Sequence, residues 1–433
     1  MTTTRASLRR LASVHGATGA EIGTAQTIVI ERVEPELDGG RYPAKRVQGD
    51  WFAVTADIIA DGHDQLAAAL LIRAEDETGW QEIPMRPGRY DRWTGRVRLR
   101  RNVRHIYTLE AWRDEVASWS ERLSRKAGLR LGIEFELAEG GQLLAVVARR
   151  ARQARERDDA AVLDSARERL AAAPDPRSAA RIARERSLLA AGARHPDRST
   201  ATRYDHELTL VVDRPEAATG VWYELFPRSQ GRQPGHATTL VEAEWRLPHL
   251  KRLGFDVVYL PPIHPIGTTN RKGRNNAEQA RPGDVGSPWA IGSADGGHEA
   301  VAPELGGLEA FQHFRRATER LGMEVALDLA IQASPDHPWV HDHPEWFRHA
   351  PDGTIRYAEN PPKRYQDVYP FDFRGPDRDA RVALWEAWRE LVLTWAERGV
   401  RMFRVDNPHT KPVVFWERLF ARLRTAAPDA IFL

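Results

Sequence analysis

The 433-residue chain carries 63 Lys and Arg against 61 Asp and Glu, a formal net charge of +2, and it contains no cysteine. This charge balance gives no basic field for nucleic acid, and the absence of thiols excludes disulfide scaffolds, thiolate metal sites and a cysteine nucleophile. With 42% apolar and 29% charged residues the composition is that of ordinary globular proteins, and the length predicts two or three domains.

The N-terminal part of the chain combines a polar tail with β-like sequence. Residues 1–21 are rich in Thr, Ser and Arg and lack the apolar core of a secretory signal, so we expect a disordered tail. No run in the chain approaches the roughly 18 apolar residues of a membrane span, and we expect a cytoplasmic protein without membrane association. Short β-like runs separated by turn residues predict a β-sandwich built from residues 22–113 and 203–215.

Between these two β segments the composition changes. Residues 114–202 are dominated by Ala, Arg, Glu and Leu at helical spacing, which predicts an all-helical insert. The insert mixes both signs of charge, which is typical of solvated, ion-paired helix faces rather than of RNA-binding helices.

From residue 216 to the end, strand-like and helix-like runs alternate. The strand-like runs lie at 221–226, 256–260, 324–330 and 400–405. The helix-like runs lie at 239–253, 308–321 and 379–398, each followed by a glycine that suits a helix C-cap. This alternation predicts βαβ units and a parallel sheet, either half of an eight-stranded barrel or a doubly wound sheet. A Pro- and aromatic-rich loop subdomain is expected at about 333–374.

The strongest candidate for chemistry is the segment RVDNPHTKP at 404–412. Side chains alternate along a strand, so Arg404 and Asp406 should point to the same side, where the arginine favours an ionised carboxylate. Asp406 ends its strand, and the carboxyl ends of parallel strands carry the active sites of barrels. An ionised carboxylate there suits a nucleophile. A structural ion pair at a strand end is the alternative.

A second candidate lies at the end of the preceding strand. Asp328 and Gln332 share one face of the segment LDLAIQ, and an Asp inside an apolar strand is costly to bury without a partner. Arg404 on the neighbouring strand is the natural partner. Taken alone, Asp328 is more typical of a structural residue than of a catalytic one.

Two loops are basic and polar, at 270–276 (NRKGRNN) and 359–367 (ENPPKRYQD). Lys and Arg with amide donors could bind a phosphate monoester, although surface loops without a binding role are the simpler interpretation. The chain has no HExxH, GxGxxG or Walker sequence, so we expect no metal, nucleotide, flavin or other cofactor site.

Together these segments resemble glycoside hydrolase family thirteen, the α-amylase clan, and within it the α-1,4-glucan:maltose-1-phosphate maltosyltransferases. The runs that carry the resemblance are ALDLAIQASPDHPW, AENPPKRYQDVYP, FRVDNPHTKP, RKGRNN and WAIGSADGGH. The amylase-wide pattern has Asn and His where Gln332 and Ala333 stand, so a plain amylase is not implied. The resemblance extends over the β segments and the helical insert.

The resemblance implies a (β/α)8 barrel, about half of it present, in which Asp406 is the nucleophile, Arg404 orients it and Asp328 supports the arginine. It further implies that Lys272, Gln332, Asp367 and Asn407 contact the maltosyl phosphate donor. Its phosphate would be held by Asn360, Lys363 and Tyr365.

The activity implied by the resemblance is a retaining transfer of maltosyl units from α-maltose 1-phosphate to the non-reducing end of α-1,4-glucans, with release of phosphate, by a homodimer. In this clan the general acid/base is a Glu at the end of the next strand, which would follow Leu433. We therefore expect this chain alone to be inactive. Two alternatives stay open: another amylase-clan hydrolase or trehalose-type isomerase, and a non-catalytic glucan-binding fragment.

Overall fold

The computed structural model describes residues 27–233 and 237–433, so the predicted tail at 1–21 lies outside the described residues. Contacts divide the chain into two compact units, the second beginning at Asp213. Within the described ranges, no helix combines the length and the apolar character needed to cross a bilayer.

The first unit contains two largely antiparallel sheets. Their strands are β1 (Ile28–Glu34), β2 (Ala44–Val47), β3 (Trp51–Ala60), β4 (Leu66–Ala74), β5 (Gln81–Pro84), β6 (Arg86–Pro87), β7 (Arg92–Arg98), β8 (Arg104–Arg113), β9 (Thr202–Arg203) and β10 (Leu208–Asp213). One sheet has the order β1-β3-β7-β6, and the other β2-β10-β8-β4-β5 with β9 beside β8. Buried residues alternate with more exposed ones along much of β1, β3 and β7, and apolar side chains of both sheets, including Phe52, Leu70 and Leu109, form one hydrophobic cluster.

Five helices lie in sequence between β8 and β9, in the region where helical periodicity was predicted. They are α1 (Glu115–Gly128), α2 (Glu134–Gln153), α3 (Arg157–Ala171), α4 (Pro176–Ala183) and α5 (Arg186–Arg194). These helices bury a cluster of their own around Trp119, Leu144 and Leu163. The Trp119 indole donates to the Glu136 carbonyl at 2.8 Å. Gly140 makes room for the ring, because a Cβ at that position would lie 2.3 Å from it.

The second unit is built around five parallel strands in the order β11-β12-β13-β16-β17. Its strands are β11 (Trp222–Glu224), β12 (Val257–Leu260), β13 (Glu324–Ala330), β14 (Ala358–Asn360), β15 (Lys363–Tyr365), β16 (Met402–Asp406) and β17 (Ile431–Phe432), of which β14 and β15 form a separate antiparallel hairpin. The predicted parallel sheet is therefore observed, and the chain is a mixed α/β protein.

Helices connect the parallel strands. The α-helices are α6 (Glu216–Thr219), α7 (Leu240–Ala243), α8 (Leu247–Arg252), α9 (Gly307–Arg320), α10 (Pro338–Asp342), α11 (Arg378–Glu397) and α12 (Val413–Ala426). Short 3-10 turns occur at Pro227–Ser229, Glu244–Arg246, Arg274–Asn276, Pro303–Leu305, Pro344–Trp346 and Pro408–Thr410. The glycines expected after three helices, Gly254, Gly322 and Gly399, adopt left-handed φ angles of 89°, 68° and 96°.

One predicted helix differs from the observed structure. The run at 239–253 forms α7, a 3-10 turn and α8 instead of one continuous helix. Pro248 has no N–H to donate to the carbonyl of Glu244, so the α-helical hydrogen-bond pattern cannot run through this point. The start of α7 agrees with the predicted start at 239, because Thr239 and Glu242 form a reciprocal capping box there.

Candidate active site

The site begins where two parallel strands end side by side. In the β13–β16 ladder Asp328 is in register with Arg404, and Ala330 with Asp406. Nη1 of Arg404 donates to Oδ2 of Asp328 at 2.9 Å and to Oδ1 of Asp406 at 2.7 Å. The arginine therefore lies between two carboxylates, as the alternation along the strand predicted.

Asp406 is held from two sides. While Oδ1 accepts from Arg404, Oδ2 accepts from Nδ2 of Asn407 at 2.8 Å. Asn407 has a left-handed φ of 47°, a conformation that Asn tolerates better than most residues. The Asp406 side chain is 15% exposed and opens onto a cleft. Its carboxylate is thus fixed in orientation while it still faces a space that a ligand can enter.

Asp328 is the buried member of the group, with a side chain that is 0% exposed. The Tyr259 hydroxyl donates to Oδ2, whereas Oδ1 has no hydrogen-bond partner within residues 27–233 and 237–433. Burial raises the pKa of Asp328 to about 6, against the hydrogen bond from Tyr259 and the charge of Arg404, which lower it. The negative charge of Asp406 adds to the increase.

The raised pKa of Asp328 predicts a pH-dependent stability. Because the folded chain binds this proton more tightly than the unfolded chain, the free energy of unfolding should fall as pH rises from about 4 to about 6. The expected loss is about 3 kcal/mol, and the Asp328→Asn variant should lack it. Urea unfolding of both proteins between pH 4 and 7 measures the difference, and parallel curves would contradict the assignment.

A cleft of about 1030 Å³ opens at the carboxyl ends of the strands. Of the residues predicted from the sequence, the cleft brings together Gln332, Asn360, Tyr365, Asp367, Asp406 and Asn407. Three carboxylates (Glu359, Asp367, Asp406) and three cations (Arg348, Arg356, Lys411) are among its walls. A lining with equal numbers of these acidic and basic side chains, close together, suits a polar ligand that carries a charge of its own.

The two predicted lysines do not line this cleft. Lys272 is 5% exposed, and its Nζ donates to the carbonyl of Arg364 in β15 at 3.3 Å. Lys363 is exposed and pairs with Asn360 in the hairpin register. Burial raises the pKa of Asp367, and the charge of Lys272 opposes that increase. The first basic loop is therefore hydrogen-bonded to the second, through Asn270 and Lys272.

The first basic loop is anchored by Asp336, a residue that the sequence did not single out. Its Oδ2 accepts from the backbone N–H groups of Thr268 and Thr269 at 2.6 and 2.7 Å, and its Oδ1 accepts from the Thr269 hydroxyl at 2.6 Å. Although burial opposes it, the hydrogen bonds from Thr269 and Thr268 lower the pKa of Asp336. This carboxylate joins the loop that carries Lys272 to the segment after β13.

Replacing Asp336 by Ala should release this loop. Two backbone N–H groups lose their acceptor, so we expect a loss of about 1–3 kcal/mol of unfolding free energy together with weaker binding of ligands in the cleft. Asp175→Ala is the matched control, because Asp175 accepts from two backbone N–H groups at the start of α4, in the first unit. The control should lower stability by about 1 kcal/mol and leave binding unchanged. Equal binding by both variants would contradict the anchoring role.

Two neutral histidines lie beneath the end of β13. The Trp339 N–H donates to Nδ1 of His337, so His337 must donate through Nε2 to Nδ1 of His298, which in turn donates through Nε2 to the Ala330 carbonyl. Burial lowers the pKa of His337 to about 4 and that of His298 well below its usual range. The chain of three hydrogen bonds fixes the carbonyl of Ala330, two residues before the predicted site residue Gln332.

Sequence reasoning missed several cleft residues, among them Trp289, Arg348, Arg356 and Lys411. Lys411 lies in the segment 404–412 that the strand-end argument selected, so its position after the strand was the available clue. The arginines lie in a long loop whose path no periodicity indicates. Among the described residues, no group of three or more His, Asp or Glu side chains could hold a metal ion.

A parallel sheet with a charged cleft at the carboxyl ends of its strands defines a mixed α/β protein with an enzyme-like site. A family model for the N/S domain of α-1,4-glucan:maltose-1-phosphate maltosyltransferase matches residues 26–214. An enzyme of that name from Myxococcus xanthus (strain DK1622) is 50% identical over 94% of this chain and 61% of its own length. One from Cereibacter sphaeroides is 45% identical over 94% of this chain and 67% of its own length.

The chain belongs to the α-1,4-glucan:maltose-1-phosphate maltosyltransferase family. It spans 61% and 59% of the length of its relatives from Myxococcus xanthus and Chlorobaculum tepidum. Among solved structures, an α-amylase from Lactobacillus plantarum aligns with 49% of this chain and 44% of its own, with a TM-score of 0.41 and 28% identity. A maltogenic amylase from S. marinus aligns with 94% of this chain and 52% of its own length, with a TM-score of 0.39 and 10% identity.

Proposed function

We propose that the protein is a retaining glycosyltransferase that moves maltosyl units from α-maltose 1-phosphate to the non-reducing end of α-1,4-glucans and releases phosphate. The observation that carries this proposal is the pairing of Asp406 with Arg404 at the wall of a cleft that also contains Asn360 and Tyr365. Membership of the maltosyltransferase family supports the choice of donor and acceptor.

In the first step an oxygen of Asp406 attacks C1 of the maltosyl group. The bond between C1 and the phosphate oxygen breaks, and its electron pair leaves with the phosphate. Arg404 and Asn407 hold the attacking carboxylate in one orientation, so little reorganisation is needed at the moment of reaction. Asp328 acts indirectly, because it holds the arginine.

In the second step the 4-hydroxyl of the glucan end attacks C1, the ester bond to Asp406 breaks and the hydroxyl proton passes to a base. Two displacements at C1 restore the α configuration. A transfer of this kind uses a second carboxyl group about 5–5.5 Å from the nucleophile. We propose that Gln332, Asp367 and Asn407 contact the donor and that Asn360 and Tyr365 hold its phosphate, all five from the walls of the cleft. Lys272 and Lys363 lie outside these walls, so their proposed contacts with the donor and its phosphate require their loops to move when it binds.

The wider architecture is part of the proposal. We propose that the parallel sheet belongs to a (β/α)8 barrel at 216–433 with a loop subdomain at about 333–374. The two antiparallel sheets would form a β-sandwich domain, with the helices as an insert, and the protein would form a homodimer. The shared cluster around Phe52, Leu70 and Leu109 supports the sandwich.

The covalent step can be tested apart from protonation of the leaving group. An α-maltosyl fluoride with a second fluorine at C2 of the reacting ring needs no acid to expel fluoride, and it should leave a maltosyl ester on the nucleophile. Intact and peptide mass spectrometry would locate the adduct, which is expected on Asp406. Isothermal titration calorimetry would measure binding of α-maltose 1-phosphate beside maltose. An adduct elsewhere, or equal affinity for both sugars, would overturn the proposal.

A further inference from the structure

A lysine that the sequence argument did not use faces the cleft close to the candidate nucleophile. Lys411 follows the short 3-10 turn after β16 and lines the cleft together with Asp406, Asn407, His409 and Thr410. Its Nζ donates one hydrogen bond, to Oγ1 of Thr410 at 2.8 Å. No ion pair joins Lys411 to any carboxylate in the part of the chain that the structure describes.

The hydrogen-bonding capacity of this ammonium group is mostly unused. An ammonium carries three donors, and only one of them has a protein acceptor among the described residues. Burial lowers the pKa of Lys411 to about 8, while the negative charge of Asp406 raises it, so the side chain is mostly charged at neutral pH. A partly desolvated cation with free donors gains most from an anionic ligand in the cleft.

Lys411 and Asp406 line the same cleft, and Lys411 lies on the segment that directly follows Asp406. An attacking oxygen stands about 3–3.5 Å from the carbon that it attacks, and the leaving group lies beyond that carbon. A side chain that meets the leaving phosphate must therefore face the same cleft as Asp406 without being held by its carboxylate. Lys411 lines that cleft, and among the described residues the ion pair of Asp406 is with Arg404 rather than with Lys411.

We propose that Lys411 is a phosphate-binding residue that selects the sugar phosphate over neutral sugars in this cleft. The assignment rests on the proposed function, because it takes α-maltose 1-phosphate as the donor. Lys411 would be a second cation for the phosphate besides Lys363, and it lies on the segment that follows Asp406. The cations Arg348 and Arg356 line the same cleft and would share the charge of the phosphate.

The test is calorimetric titration of the wild-type chain and of Lys411→Gln with α-maltose 1-phosphate, with maltose and with inorganic phosphate. Losing one charge-assisted hydrogen bond should weaken binding of α-maltose 1-phosphate by about 10- to 100-fold, with maltose unchanged. Lys411→Arg should keep most of the affinity because it keeps the charge. Lys251→Gln is the matched control, since within residues 27–233 and 237–433 that exposed lysine donates to the Gly322 carbonyl alone.

The outcomes separate this inference from the proposed function. If the wild-type chain binds maltose and its 1-phosphate equally, the donor assignment is wrong and the role of Lys411 is overturned with it. If the wild-type chain prefers the phosphate and Lys411→Gln keeps that preference, only the inference fails. Equal weakening of both sugars would show that Lys411 contacts the sugar rather than the phosphate, which also overturns it. Unchanged circular dichroism and melting temperature exclude a folding defect.

Discussion

The Asp406→Asn variant is expected to take no covalent label from the maltosyl fluoride under conditions that label the wild-type chain completely. Asparagine has nearly the same shape, but its neutral amide cannot act as the nucleophile. In an assay of maltosyl transfer to a glucan, we expect the rate to fall by about 10⁴-fold or more. This is the scale seen when one member of a catalytic unit is removed. Time-resolved mass spectrometry of the labelling reaction is the measurement.

The control for Asp406→Asn is Glu359→Gln, which removes a different carboxylate from the wall of the same cleft. Glu359 lies in β14, where it pairs with Arg364 in the hairpin register, and no hydrogen bond joins it to Asp406 within the described residues. This variant should be labelled at the wild-type rate. Labelling of the Asp406→Asn variant at another carboxylate would show that a different residue is the nucleophile.

The second unit was predictable from the sequence because several independent patterns agree there. The run at 324–330 is observed as Glu324–Ala330, and Gly322 before it adopts the left-handed conformation expected after a helix. Alternation along β16 placed Arg404 and Asp406 on one side, and the register of the parallel ladder then brought Asp328 to the same arginine. These features depend on local periodicity, which the sequence contains.

The lining of the cleft was harder to predict, because loop side chains are placed by contacts distant in sequence. Lys272 and Lys363 look alike as basic loop residues, yet one is buried and the other exposed. Their difference follows from the hydrogen bonds of the 270–276 loop to Arg364 and Gln366, and no local pattern encodes those contacts. The hairpin itself was hidden because its strands have three residues each and flank two prolines.

The ionic group at the strand ends also predicts a large effect on stability. Arg404→Met leaves Asp328 and Asp406 without the cation between them, and two carboxylates in poorly solvated positions then repel each other. Removing one partner of a buried ion pair typically costs about 3–5 kcal/mol, and because Arg404 is partly exposed we expect a loss of about 3 kcal/mol, at the lower end of that range. Labelling of Asp406 should slow by about 100-fold, because its carboxylate would be held by Asn407 alone.

Arg418→Met is the control for Arg404→Met. Arg418 pairs with Glu386 at the surface, so its replacement should lower the unfolding free energy by less than about 1 kcal/mol.

A double-mutant cycle isolates the charge effect from the packing effect of Arg404. Adding Asp328→Asn to Arg404→Met removes the buried charge that the first change leaves unpaired, so the double variant should be more stable than Arg404→Met alone. The expected coupling is about 1–3 kcal/mol from urea unfolding at pH 7, where Asp328 is ionised in the wild-type chain. At pH 4 Asp328 is protonated and the coupling should shrink. Additive losses at both pH values would mean that Arg404 stabilises the strand ends through packing, and its proposed electrostatic link to Asp406 would fail.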